Sequence, residues 1–96
     1  MKKNLIEFTV EDVRLMTGQQ TGLNYLIPLS IELLQKDILI EGDFYPGDLL
    51  EKVLNIDIDF WIDNKPLWIK IGNLIKPQLE EIKELKISID KFYSVF

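Results

Sequence analysis

Leu54-Asn55-Ile56-Asp57-Ile58-Asp59-Phe60-Trp61-Ile62 decides the fold class of this 96-residue chain. Its apolar and polar residues alternate, the pattern of a half-buried strand. No obvious partner strand accompanies it, and a lone strand is not stable in water. The stretch therefore reads as a short connection ending in a helical turn, which Asp57 or Asp59 can cap ahead of Trp61. On that reading the chain is all-α. The expected architecture is a small single-domain bundle of four to five helices over residues 1–96.

Helical spacing supports this on both sides. Downstream, Asn64-Lys65-Pro66 opens a helix with proline in its first turn, and Leu67, Ile71, Leu74 and Ile75 line one face. Pro77 starts or kinks a continuation through Gln78 to Lys86. Its early acids Glu80 and Glu81 and late bases Lys83 and Lys86 suit the helix dipole. Ile87-Ser88-Ile89 breaks the pattern, and residues 90–96 are expected to form a last turn or a docked tail.

Upstream, Asp48 is expected to cap a helix through Leu49, Leu50, Val53 and Leu54. Leu23, Leu26, Ile27, Ser30, Leu33 and Leu34 follow helical spacing to about Lys36, with Pro28 in or near the early turns. Thr9-Val10-Glu11-Asp12 reads as a first helix start, with Phe8 as a staple and Gly18 as its stop. Leu26 and Trp61 are expected in the core, and Trp68 with them.

Between the second and third helices lies Glu41-Gly42-Asp43-Phe44-Tyr45-Pro46-Gly47-Asp48, which resembles no helix or strand interior. Gly42 and Gly47 permit positive φ, and Pro46 fixes its own. A loop constrained in this way presents its acids and aromatics in a fixed arrangement, and such loops carry binding sites. If it is extended, one of Phe44 and Tyr45 faces inward and the other outward, and an outward Tyr45 would serve as an aromatic anchor.

Composition narrows the function. The chain has no cysteine and no histidine, so disulfides, thiolate catalysis and the commonest general base are absent. No Walker lysine motif, dinucleotide glycine fingerprint or zinc-ligand spacing appears. The carboxylate pairs Glu41 with Asp43, and Asp57 with Asp59, suit a glycosidase-like dyad or a divalent-metal site in principle. A chain this short leaves little room for a substrate cleft beside its core, so they read more simply as solvated acids. No cofactor is expected. The N-terminus lacks the apolar region of a signal peptide, and no apolar run approaches membrane-spanning length, so a soluble cytoplasmic protein is expected.

Net charge is −5 and unevenly placed. Residues 1–63 hold twelve acids and five bases, whereas residues 64–96 hold four acids and six bases. Residues 41–63 alone carry seven acids against Lys52. Such a chain should repel nucleic acid and attract a basic protein partner. The candidate contact residues are Glu41, Asp43, Phe44, Tyr45, Asp57 and Asp59.

Several motifs together resemble the immunity proteins of bacterial contact-dependent growth inhibition (CDI) systems. They are Phe8-Thr9-Val10-Glu11-Asp12-Val13-Arg14-Leu15, Gly18-Gln19-Gln20-Thr21-Gly22-Leu23, Tyr25-Leu26-Ile27-Pro28-Leu29, the Glu41 to Leu50 block and Phe60-Trp61. Their order and approximate spacing also agree over roughly residues 5–68. The resemblance implies a non-enzymatic, all-helical antidote. It would bind the C-terminal toxin domain of a large exported protein, in many cases a nuclease, and cover its active site. Two rival readings remain: a regulatory module for a basic partner that is not a toxin, and a small carboxylate-dependent hydrolase.

Overall fold

The computed structural model describes residues 8–20 and 22–96. The readings of the N-terminal residues 1–7, and Thr21 of the Gly18 to Leu23 motif, lie outside these. The described chain runs through α1 (Val10–Gly18), α2 (Leu23–Lys36), α3 (Asp48–Leu54), α4 (Ile58–Asp63) and α5 (Lys65–Ile75). A 3-10 turn at Lys76–Gln78 leads into α6 (Leu79–Glu84), and α7 (Asp90–Tyr93) closes the chain. The fold is all-α. The one β-type pairing among the described residues is an isolated antiparallel bridge between Glu41 and Pro46.

Local chemistry explains most of the boundaries. Thr9 and Asp12 form a reciprocal capping box: the Asp12 N–H donates to Thr9 Oγ1 at 3.1 Å, and the Thr9 N–H donates to the Asp12 carboxylate at 3.0 Å. The left-handed residue after α1 is Gln20 at φ 55, not Gly18. Gly18 is the last residue of α1 and lies beside Lys52; an added Cβ there would make only ordinary contact, 3.5 Å from Lys52 Cδ.

In α2 the buried stripe is Leu23, Leu26, Ile27, Ser30, Ile31 and Leu34. Ile31 therefore takes a place on the inner face that the spacing gave to Leu33, which is half-buried. Pro28 is the sixth residue of this helix, so the helix begins ahead of it. Both Pro28 and Asn24, whose carbonyl loses its intrahelical donor to the proline ring, lie on the exposed face, where water can reach them.

The 54–62 alternation resolves into α4. Trp61 turns fully inward, while Ile58 and Ile62 are 37% and 53% exposed. The alternating apolar residues thus do not share a face, and the strand pattern fails once Trp61 is placed. Trp61 meets Phe92 of α7 edge-to-face at 5.5 Å. Trp68 of α5 stacks on the other side of this cluster, 5.2 Å from Phe92, and donates its indole N–H to the Phe92 carbonyl at 2.9 Å. Trp68 is half-buried, so it walls the core rather than filling it.

The core joins Val13, Leu26, Ile27, Leu49, Leu50, Leu54, Ile71, Ile75 and Ile82 to Trp61 and Phe92, all essentially inaccessible. The C-terminal residues Ile82, Ile87 and Phe92 belong to it as fully as those of α2. Leu26→Ala is expected to cost about 2–5 kcal/mol, and Trp61→Ala and Phe92→Ala about 3–5 kcal/mol each. Against a total stability of roughly 5–15 kcal/mol these are severe losses. Denaturant unfolding of the three variants measures them, and native-like midpoints would refute the core assignment.

Candidate functional site

The loop between α2 and α3 is built from its neck outward. The Gly47 N–H donates to the Leu39 carbonyl at 3.0 Å, and Glu41 bridges to Pro46. These contacts pinch residues 41–46 into a closed projection. Gly47 sits at φ 84, and a Cβ there would lie 2.6 Å from Ile87 Cδ1. Glycine is therefore required for the backbone conformation, and the tip of the Ile87 side chain would have to shift to admit a Cβ.

Inside the projection, consecutive backbone N–H groups are held by carboxylates. Gly42 N donates to Asp48 Oδ1 at 2.7 Å, Asp43 N to Glu11 Oε1 at 2.9 Å, and Phe44 N to Asp48 Oδ2 at 3.2 Å. Asp48 was expected to cap α3. It is instead the first residue of α3, behind Gly47 as the N-cap residue, and its side chain reaches back into the preceding loop. Gly42 is needed for closeness rather than for φ. A Cβ would stand 2.6 Å from Glu11 Oε1 and 3.0 Å from Asp48 Oδ2.

Arg14 ties these acids together. Its Nε and Nη2 donate to the two Glu11 carboxylate oxygens at 2.7 and 2.6 Å, and its Nε lies 3.8 Å from Asp48 Oδ2. Asp48 is 1% exposed and Arg14 7%, so both charges are buried and each needs the other. The Arg14 hydrogen bond holds Glu11 at a pKa of about 2, well below the 4.5 of the free group. The Asp43 N–H acts in the same direction, and partial burial opposes both. The same pairing raises Arg14. Above the network, the Arg14 guanidinium lies 4.4 Å from the centroid of the Phe44 ring. The Tyr45 hydroxyl donates to the Glu51 carboxylate, which raises the tyrosine pKa.

The six residues chosen from the sequence are all exposed, but they fall into two groups. Glu41, Asp43, Phe44 and Tyr45 share the projection. Neither aromatic faces inward: Phe44 is 64% exposed and Tyr45 43%. Asp57 and Asp59 lie elsewhere. Helices α1 and α3 run parallel, with Glu11 and Asp48 at the loop end, Gly18 beside Lys52 further along, and the Gln20 side chain accepting the Asp57 N–H at 2.9 Å at the far end. The length of α3, about 10 Å for 7 residues, separates the two acidic groups. Sequence reasoning missed Glu11, Arg14 and Asp48 as the residues that hold the loop. The i, i+3 spacing of Glu11 and Arg14 was the visible signal.

Among the described residues, no group of three or more His, Cys, Asp or Glu side chains is placed to hold a metal, and no helix is long and apolar enough to cross a membrane. The described residues thus form a small helical fold with a fixed loop that exposes acids and aromatics. Residues 1–71 match the CdiI_3 family of CDI immunity proteins, and the chain belongs to that family. The match takes in α1 to α4, the loop and most of α5. No curated protein and no solved structure gave a match. Membership of this family assigns the chain to toxin neutralisation in contact-dependent growth inhibition, a role that is generally non-enzymatic.

Two outcomes follow from the geometry. The folded pKa of Glu11 lies below its free value, so the stability it contributes is complete above about pH 4.5 and is lost as pH falls toward about 2. The stability gap between the native chain and Glu11→Gln, measured by urea unfolding, is therefore expected to be widest near neutral pH and to close across that window. A gap that does not change with pH would contradict the Glu11–Arg14 pairing. Gly47→Ala is expected to destabilise by about 1–3 kcal/mol from backbone strain, with the Ile87 clash adding to it. Unfolding midpoints equal to those of the native chain would exclude the constraint at the loop neck.

Proposed function

We propose that this chain neutralises a nuclease toxin, a ribonuclease in preference to a deoxyribonuclease, by covering its basic active-site region with an acidic surface. The toxin is the C-terminal domain of a CDI effector delivered by a neighbouring cell, and the encounter takes place in the cytoplasm. Membership of the CDI immunity proteins carries the reading. A nuclease must attract phosphate, so its catalytic surface tends to be basic, and an acidic protein surface is complementary to it. No nucleic acid, cofactor or membrane is part of this mechanism.

Two places on the surface supply the acids. Glu41 and Asp43 lead on the loop, where Phe44 and Tyr45 add apolar contact area. The outer side of α3 connects them to the second group. Glu51 receives the Tyr45 hydroxyl, and Asn55, one turn further, bonds back to the Glu51 carbonyl at 2.8 Å. Asp57 and Asp59, exposed past the far end of α3, are taken as a second acidic contact. Charges at the rim of such an interface act mainly on association, whereas a desolvated acid acts on dissociation.

The test begins with co-expression of the chain and the toxin domain encoded directly upstream. Co-purification and restored growth are expected, and failure of both refutes the reading. Binding kinetics at two salt concentrations then examine the surface. Glu41→Gln, Asp43→Asn, Asp57→Asn and Asp59→Asn are each expected to slow association and to flatten its salt dependence, by a severalfold loss in rate at low ionic strength. Native rates in all four variants would place the interface on another face.

A further inference from the structure

The two aromatic side chains of the loop are not equivalent. Tyr45 is tied down, since its hydroxyl donates to Glu51 within the chain. Phe44 has no polar group to satisfy and is 64% exposed, against 43% for Tyr45. Yet its position is fixed from beneath. Its N–H is held by Asp48 at 3.2 Å, and its ring rests 4.4 Å from an Arg14 guanidinium that is itself clamped by Glu11. A rigid phenylalanine left in water is apolar surface that the fold has not buried. The ordering that binding would otherwise require of it is already in place.

We infer that Phe44 is the anchor of the toxin contact, that Arg14 is its positioning residue, and that the surface it fits is an apolar pocket rimmed by lysine or arginine. The inference rests on the proposed reading that this loop meets the toxin. The rim follows from the flanking charges: Glu41 and Asp43 are exposed on the same loop as Phe44. Arg14 does not oppose such a rim, because Glu11 and Asp48 surround its charge and it is 7% exposed. Arg14 therefore acts through the loop and does not touch the partner. A lysine cannot replace it, having neither the bidentate fork for Glu11 nor the planar group that lies against the ring.

The first arm of the test needs no toxin. In the free chain, amide exchange at Gly42, Asp43 and Phe44 is expected to quicken at least about tenfold in Arg14→Met, and by less in Arg14→Lys, while amides of the α2 core keep their protection. Unchanged exchange at the three loop amides overturns the positioning role. If Arg14→Met does not fold, Arg14→Lys carries this arm alone.

The second arm measures affinity for the toxin domain encoded upstream. Phe44→Ala is expected to weaken binding at least about tenfold, mainly through faster dissociation, as loss of an anchor does. Phe44→Leu, which keeps an apolar side chain, should recover most of that loss. Arg14→Met should weaken binding in the native background and far less in a Phe44→Ala background, because the two act as one unit. Binding by Phe44→Ala within about twofold of native, or equal Arg14→Met effects in both backgrounds, overturns the assignment. A native chain that fails to bind the domain at all defeats the proposed function as well. Native binding that is indifferent to Phe44 defeats the anchor alone.

Discussion

A carboxylate at 1% exposure is the constraint around which the loop end of this molecule is arranged. Asp48 stands at the start of α3, where nothing in the helix needs a buried acid. Desolvating it is costly unless its oxygens are fully engaged. The loop amides of Gly42 and Phe44 and the charge of Arg14 supply that engagement. Once Asp48 is fixed, much else is decided. Gly42 must be small, because Glu11 and Asp48 both crowd it. Arg14 must be buried, so α1 must lie against α3 with its N-terminal end at the loop. The loop is thus an extension of the packing of two helices.

The far side of the loop is supported by apolar contact instead. Ile87 presses on Gly47, so the C-terminal segment closes the neck from behind. That segment also delivers Phe92 between Trp61 and Trp68, which binds α7 to α4 and α5. Residues 72–96 lie beyond the family match, yet they complete the core of the matched part. The loop lies in the matched region, and Ile87 of the tail packs beside its neck.

Much of the helical architecture was legible because it is written in local patterns. The Thr9–Asp12 capping box, the α2 stripe and the Asn64-Lys65-Pro66 opening each lie within a few residues of the element they define. The 54–62 alternation misleads as a strand pattern, and chain economy rather than periodicity resolved it: a lone strand has no partner. The clamp was not legible. Its Asp43 to Glu11 hydrogen bond joins residues 32 apart, and no spacing rule connects a loop amide to a carboxylate at that distance. Asp48 was noticed for the right chemistry, acceptance of backbone N–H groups, but assigned to the wrong ones. Helix-cap statistics look forward from an aspartate, and this one bonds backward.

This relocation changes how the acidity of the chain should be read. Seven acids in residues 41–63 suggest a uniformly negative face. Asp48 is withdrawn into the protein, and Glu51 is engaged by Tyr45. Arg14 is in turn withdrawn by Glu11, so a base that would have diluted the field at the loop tip no longer faces the solvent. The sign of the surface is preserved while its distribution becomes patchy: two exposed acids on a fixed loop, and three more, Asp57, Asp59 and Asp63, beyond α3. A patchy field of this kind orients a partner as well as attracting it, because rotating the partner mismatches one patch or the other. On the proposed reading the buried arginine would contribute to recognition by what it removes from view, and the loop's rigidity and its charge have a single origin.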